Sequence, residues 1–227
     1  MISHAACGGH APENTLAGIQ KAIELGSDAI EIDVQASADG VPVLMHDLTV
    51  DRSTNGTGAV ADLTLDQLKS LTVKGQPVPT LAEVLDLTKG HVLLVIEIKA
   101  PGIEKHIARV VRDAGARDQV MSWSFFLPAL AGMRAVDPGI PGAILLGPQA
   151  LPEWPKMRHL ALKTGLQGVS VFCDALTPAI AEDCRRSGLA LYSWTADNEA
   201  QIRRLINLDA DGICSNFPDR VVAALTA

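Results

Sequence analysis

The stretch AIEIDV, Ala29 to Val34, alternates apolar and acidic residues with a period of two. Successive side chains of a strand point to opposite faces, so Ile30, Ile32 and Val34 share one face while Glu31 and Asp33 share the other. An aliphatic face of this kind packs on helices, which sends both carboxylates into the interior of a barrel. Leu94 to Lys99, LVIEIK, repeats the device: Leu94, Ile96 and Ile98 face outward, Glu97 and Lys99 inward.

Outward from these two runs the same alternation of element types continues along the chain. Strands are expected near 2–4, 28–34, 91–98, 119–123, 141–145, 167–171, 189–194 and 211–214. Helical patterns lie near 14–25, 80–88, 103–114, 125–136, 154–164, 177–187, 197–207 and 218–226. Thr177-Pro178 and Phe217-Pro218 place proline where a helix can begin, and Gly26, Gly90, Gly115 and Gly188 follow helices where a left-handed cap is needed. Eight strands, each followed by a helix, is the count of an α/β (β/α)8 TIM barrel. A doubly wound sheet would bring a Gly-x-Gly-x-x-Gly turn after its first strand, which is absent. The one long irregular segment, 35–79, follows strand two and carries seven glycines and prolines. Insertions of that length in a compact domain are usually functional or disordered. The expectation is a single domain over 1–227 with a small insertion at about 47–79.

Composition narrows the function. The chain of 227 residues is 48% hydrophobic and 20% charged, enough for a large aliphatic core, and its net charge is −7. No basic stripe is present to neutralise phosphates, which argues against nucleic acid as a partner. No apolar run approaches the roughly 18 residues of a spanning helix, so no transmembrane segment is expected, and the N-terminus lacks a basic region followed by an apolar one. The four cysteines, Cys7, Cys173, Cys184 and Cys214, show no Cys-x-x-Cys spacing. A reduced, cytoplasmic location is the expectation. Oligomeric state leaves no mark in the sequence.

Three carboxylates gathered inside a barrel cost too much unless a cation or proton compensates them, and one lysine cannot balance three. A hard divalent ion with oxygen ligands, calcium or magnesium, is the economical answer, an internal salt-bridge cluster the alternative. His4 ends the first strand and His46 lies in Leu44-Met45-His46-Asp47. Two histidines flanking a carboxylate cluster suit general acid–base work on a phosphoryl group with an alkoxide leaving group. His10, His91, His106 and His159 have no comparable setting and read as surface or packing residues.

With these residues in view, the chain resembles the glycerophosphodiester phosphodiesterase family, barrel enzymes related in architecture to phosphatidylinositol-specific phospholipase C. The resemblance runs through APENTLAGIQKAIELGSDAIEIDVQASADGVPVLMHD (11–47), VDRSTNGTGAVADLTLDQL (50–68), VPTLAEVL (78–85), IEIK (96–99), YSWTADN (192–198) and DGICSNFPD (211–219). Each piece alone is modest; their order and spacing are specific. The resemblance implies a divalent metal at Glu31, Asp33 and Glu97, His4 and His46 as the acid/base pair, Lys99 on the phosphate, Trp194 in the wall around the alcohol, and 47–79 as a cap-like segment over the mouth. It further implies metal-dependent hydrolysis of a small-molecule glycerophosphodiester to glycerol 3-phosphate and an alcohol, within lipid and glycerol metabolism.

One departure stands out. The family usually begins His-Arg-Gly, and the matching residues here are His4-Ala5-Ala6. A missing charge-assisted contact to phosphate is worth about 1.5–3 kcal/mol if nothing replaces it. Three outcomes follow: the diester is still cleaved, with Lys99, the metal or another base such as Arg52 holding the phosphate; the substrate has changed, to a sugar phosphodiester or a lysophospholipid; or the site binds without turnover.

Overall fold

A computed structural model describes residues 1–226. Eight strands run β1 Ile2–Ser3, β2 Ala29–Ala36, β3 Leu93–Ile98, β4 Val120–Ser124, β5 Gly142–Leu146, β6 Gly168–Phe172, β7 Ala190–Trp194 and β8 Gly212–Ser215. All pair in parallel with their neighbours in chain order, and β1 pairs with both β8 and β2, which closes the (β/α)8 barrel. The helices that follow them are α1 Leu16–Glu24, α2 Leu81–Thr88, α3 Glu104–Asp113, α4 Leu127–Val136, α5 Trp154–Thr164, α6 Pro178–Ser187, α7 Glu199–Asn207 and α8 Pro218–Thr226. Each element lies within two residues of its expected bounds.

Local chemistry accounts for the helix ends. Thr15, Thr80, Thr177 and Asn198 each accept a hydrogen bond from a first-turn backbone N–H, and Thr80–Glu83 and Asn198–Gln201 form reciprocal capping boxes. Pro178 opens α6, and Gly188 closes it at φ 68°, a conformation that costs a glycine little.

The aliphatic faces of β2 and β3 (Ile30, Ile32, Val34, Leu94, Ile96 and Ile98) belong to the core shared with the surrounding helices. The barrel interior is a separate cluster that includes Ile2, Val95, Trp123, Leu145 and Cys214. The alternation in AIEIDV is thus resolved as expected, oily side out and acids in.

The segment after β2 is more ordered than its glycines and prolines suggest. β2 continues to Ala36, where Pro42–Leu44 pairs with it antiparallel, Val34 opposite Leu44 and Ala36 opposite Pro42. Beyond lie a 3-10 turn at Val60–Asp62, a short helix at Leu65–Lys69 and a two-stranded ribbon of Thr72–Val73 and Gln76–Pro77. Val43, Met45, Val50, Val60, Leu68, Val73 and Val78 bury one another in a core of their own. These apolar residues are spaced irregularly, so no helical or strand period announces them. Among the described residues no helix is long and apolar enough to cross a membrane.

Candidate active site

Asp33 and Glu97 are direct partners in the β2–β3 register, and Glu31 lies one inward position before Asp33. All three are buried, and one carboxylate oxygen from each lies within 4.8 Å of the others. Lys99 Nζ reaches Glu97 Oε1 at 2.8 Å and Asp33 Oδ1 at 3.1 Å. Glu31 Oε2 accepts the Ala5 backbone N–H at 2.8 Å, while Glu31 Oε1 is buried without a partner among the described residues. Burial first, then the charges of Asp33 and Glu97, push the Glu31 carboxyl well above the usual carboxylate range; burial and Asp33 also raise Glu97, against the opposing charge of Lys99. Burial works against the charge on Lys99, but Asp33 and Glu97 outweigh it and raise its pKa. A cluster with more negative charge than one lysine can offset, and with an orphaned oxygen inside it, fits a hard divalent cation. An unpaired buried oxygen is what a closed salt-bridge cluster would not leave.

Both histidines border the small cavity above these acids, together with Lys99, Trp123 and Trp194. His4 Nδ1 lies 2.9 Å from Asn216 Oδ1, and its Nε2 is 4.0 Å from Glu31 Oε2. Asn216 in turn donates its side-chain amide to Asp197 Oδ2 at 2.7 Å, and its backbone N–H to Asp197 Oδ1 at 2.9 Å. His46 Nδ1 lies 2.7 Å from Asp47 Oδ1, and Asp47 is also bound by Arg52, which is first in holding its carboxyl below the usual range. Each ring therefore spends Nδ1–H on an oxygen acceptor and keeps Nε2 for chemistry. Gln35 Nε2 donates to the carbonyls of Met45 and Asp47, tying the His46 segment to β2.

The glycine-rich stretch after β1 is a clamp on the acids. Ala5, Ala6 and Cys7 take three consecutive left-handed conformations, φ 45°, 54° and 70°, which turn the Ala5 N–H onto Glu31. Asn14, itself at φ 54°, donates Nδ2 to Asp33 Oδ2 at 2.7 Å and accepts the Asp33 backbone N–H at 2.9 Å. Its own N–H goes to the Ala5 carbonyl at 2.9 Å. Gly18 is required here because a Cβ would lie 2.1 Å from the Ala6 carbonyl oxygen.

Of the eight residues singled out from sequence, seven (Glu31, Asp33, Glu97, His4, His46, Lys99 and Trp194) converge on one mouth of the barrel. Arg52 does not line that cavity: its guanidinium is held by Glu13 at 2.6 Å and by Asp47. Sequence reasoning missed Asn14, Asn216, Asp197 and Asp47, which orient the reactive groups. All four lie within the stretches that carry the family resemblance, Asn14 and Asp47 in 11–47, Asp197 in 192–198 and Asn216 in 211–219, and that was the signal available.

The pattern of the glycerophosphoryl diester phosphodiesterase family matches residues 4–220, and the chain belongs to that family of phosphoric diester hydrolases. It is 33% identical to a glycerophosphodiester phosphodiesterase of Caldanaerobacter subterraneus, over 98% of this chain and 96% of that one. To a glycerophosphodiester phosphodiesterase of Bacillus subtilis it is 30% identical, over 96% of this chain and 83% of the other. Among solved structures, a phosphodiesterase from Oleispira antarctica in complex with the product sn-glycerol-3-phosphate superposes with a TM-score of 0.92 at 26% identity, covering 100% of this chain and 96% of that one. A glycerophosphodiester phosphodiesterase from Agrobacterium tumefaciens gives 0.86 at 28% identity and 98% coverage of both.

Proposed function

We propose that this chain hydrolyses glycerophosphodiesters to glycerol 3-phosphate and an alcohol, using a divalent cation, calcium or magnesium, held by Glu31, Asp33 and Glu97. The observation that carries the reading is the buried triad with its orphaned Glu31 oxygen, bordered by two histidines whose Nδ1 atoms are already engaged. The product complex of the Oleispira relative supports the substrate class.

The cation would supply Lewis-acid polarisation of the phosphoryl group. Lys99, kept charged by two carboxylates, adds a positive contact for a phosphate oxygen. His4 and His46 divide the proton transfers: Nε2 of one accepts the proton of the attacking hydroxyl, and Nε2 of the other, protonated, gives its proton to the departing alkoxide. The nucleophile is water or the substrate's own glycerol 2-hydroxyl, the latter giving a cyclic phosphodiester that a second attack opens. Trp194, its indole N–H spent on the Ser170 carbonyl at 3.1 Å, stands as a fixed wall beside the alcohol. Arg52 acts at one remove, by fixing Asp47 against His46. In this reading 1–227 works as one domain with 47–79 over the mouth, and four buried thiols suit a reducing cytoplasm.

The test is turnover of a panel of glycerophosphodiesters and sugar phosphodiesters with calcium, magnesium or chelator, beside His4→Ala and His46→Ala. Each histidine variant should lose roughly 10²–10⁴ in rate. Full activity in chelator would overturn the metal reading. Ala5 in place of the family's arginine favours a second reading, a shifted substrate, because simple diesters lose a phosphate contact there.

A further inference from the structure

A second, larger cleft of about 470 Å³ opens directly from the catalytic cavity, sharing His46, Glu97, Lys99 and Phe125 with it. Leu48, from the insertion, and Phe125 and Phe126, from the loop after β4, line it, exposed by 63%, 40% and 46%. Among the described residues, three of the eight large exposed hydrophobic ones, including both exposed phenylalanines, therefore border this one opening. Such clustering marks a binding surface rather than scatter. Phe125 meets Trp194 edge to face at 5.3 Å, and Phe172 meets Trp194 at 5.4 Å, so the aromatic wall continues from the cleft to the catalytic cavity. The one acid among the lining residues beyond the catalytic group, Asp47, already has its charge paired with Arg52 and one oxygen engaged by His46, which leaves it a weak partner for an ammonium group.

Resting on the hydrolase reading above, we infer that Leu48, Phe125 and Phe126 form a subsite for an apolar chain attached to the diester, so that the preferred substrates carry an alkyl or acyl chain beside the phosphate. The chain would lie along these side chains while the phosphate occupies the cavity at Lys99 and the two histidines. Apolar contact here offsets the binding lost where Ala5 replaces a cation.

The experiment measures kcat/KM, with saturating calcium or magnesium, for sn-glycerol 3-phosphate diesters of methanol, butanol, hexanol and octanol. A parallel arm compares glycerophosphocholine with its 1-hexanoyl derivative, which separates a chain on the alcohol from a chain on the glycerol. Full burial is worth about fourfold per methylene; a shelf open on one side should give about twofold, or roughly thirtyfold from methyl to hexyl. Phe126→Ser and Leu48→Ser should collapse that ratio, chiefly through KM, whereas Leu225→Ser, exposed on α8 away from the mouth, should keep it. Steep dependence in either arm supports the subsite and assigns the chain's source. Turnover that is flat with chain length in both arms overturns the subsite while leaving the hydrolase reading intact. No turnover on any diester overturns the hydrolase reading and the subsite with it.

Discussion

His4 Nδ1 and Asn216 Oδ1 stand 2.9 Å apart at the junction of the first and last strands of the barrel, 212 residues apart in the chain. Because Asp197 can only accept, Asn216 must turn its NH2 toward it and its carbonyl oxygen toward His4. The imidazole is thereby held with its proton on Nδ1 and Nε2 free. Asn216→Leu should remove the acceptor and lower kcat by about 10–100-fold with little change in KM, the usual effect of losing a residue that orients a reactive one. The ¹⁵N shifts of the His4 ring should move toward the other tautomer. Asn216→Gln, which keeps both the carbonyl oxygen for His4 and the NH2 for Asp197 on a longer arm, should recover part of the loss. Unaltered shifts and kcat in Asn216→Leu would show that the contact is only structural.

Metal removal reads the triad. EDTA-treated protein should lose turnover and regain it with calcium or magnesium. A cation at about 100 times its Kd should add about 2.7 kcal/mol to stability, which for a chain of this size is a Tm rise of roughly 5–10 °C. Glu31→Ala should abolish both responses while circular dichroism shows a folded barrel. An internal salt-bridge cluster would instead lose stability on substitution and ignore EDTA.

Gly18→Ala puts a methyl group 2.1 Å from the Ala6 carbonyl oxygen, where backbone must move. Overpacking of this kind costs about 1–3 kcal/mol. Ala6 adjoins Ala5, whose N–H holds Glu31, so metal affinity should fall along with Tm. Thermal melts with and without cation check both effects together.

Ala5→Arg with Ala6→Gly tests the departed phosphate clamp. Glycine at position 6 relieves a left-handed alanine, about 1–2 kcal/mol, against one lost buried methyl of about 0.8 kcal/mol, so stability should change little. The arginine should raise kcat/KM for glycerophosphocholine roughly tenfold, the lower end of a charged hydrogen bond. A fall in turnover with metal binding intact would mean that the space beside Ala5 is already used by the substrate.

All four cysteines are buried free thiols, and burial pushes Cys173 up to about 11 and Cys184 to about 12 from an ordinary 9.0. Native protein at pH 8 should resist a thiol reagent that modifies all four in denaturant. A folded-state pKa above the unfolded one means the folded chain keeps protons the unfolded chain releases. Stability should therefore be full below pH 9 and fall as pH climbs from 9 toward 11–12. A urea midpoint that is constant across that window would contradict the burial of these thiols.

The barrel and its acids were legible in the amino-acid order alone, because local periodicity carried them. A period of two in 29–34 and 94–99, a helical period between the strands, and threonine, asparagine or proline at helix starts are properties of neighbours in the chain. The alternation that decided which face is oily also decided that Glu31, Asp33 and Glu97 meet inside. What tertiary structure alone decided is everything that depends on closure. Asn216 and Asp197 become partners of His4 only when β8 pairs with β1. Asn14 becomes a ligand of Asp33 only because three left-handed residues fold its loop back. Arg52, a cation free to be placed anywhere by sequence, is drawn to Glu13 and Asp47 instead of the phosphate site. Leu48 and the Phe125–Phe126 pair, 77 positions apart at their nearest, form one cleft only because the insertion after β2 and the loop after β4 meet at the same mouth. Hydrogen bonds and apolar contacts between distant segments carry no period, so no reading of neighbours could reveal them.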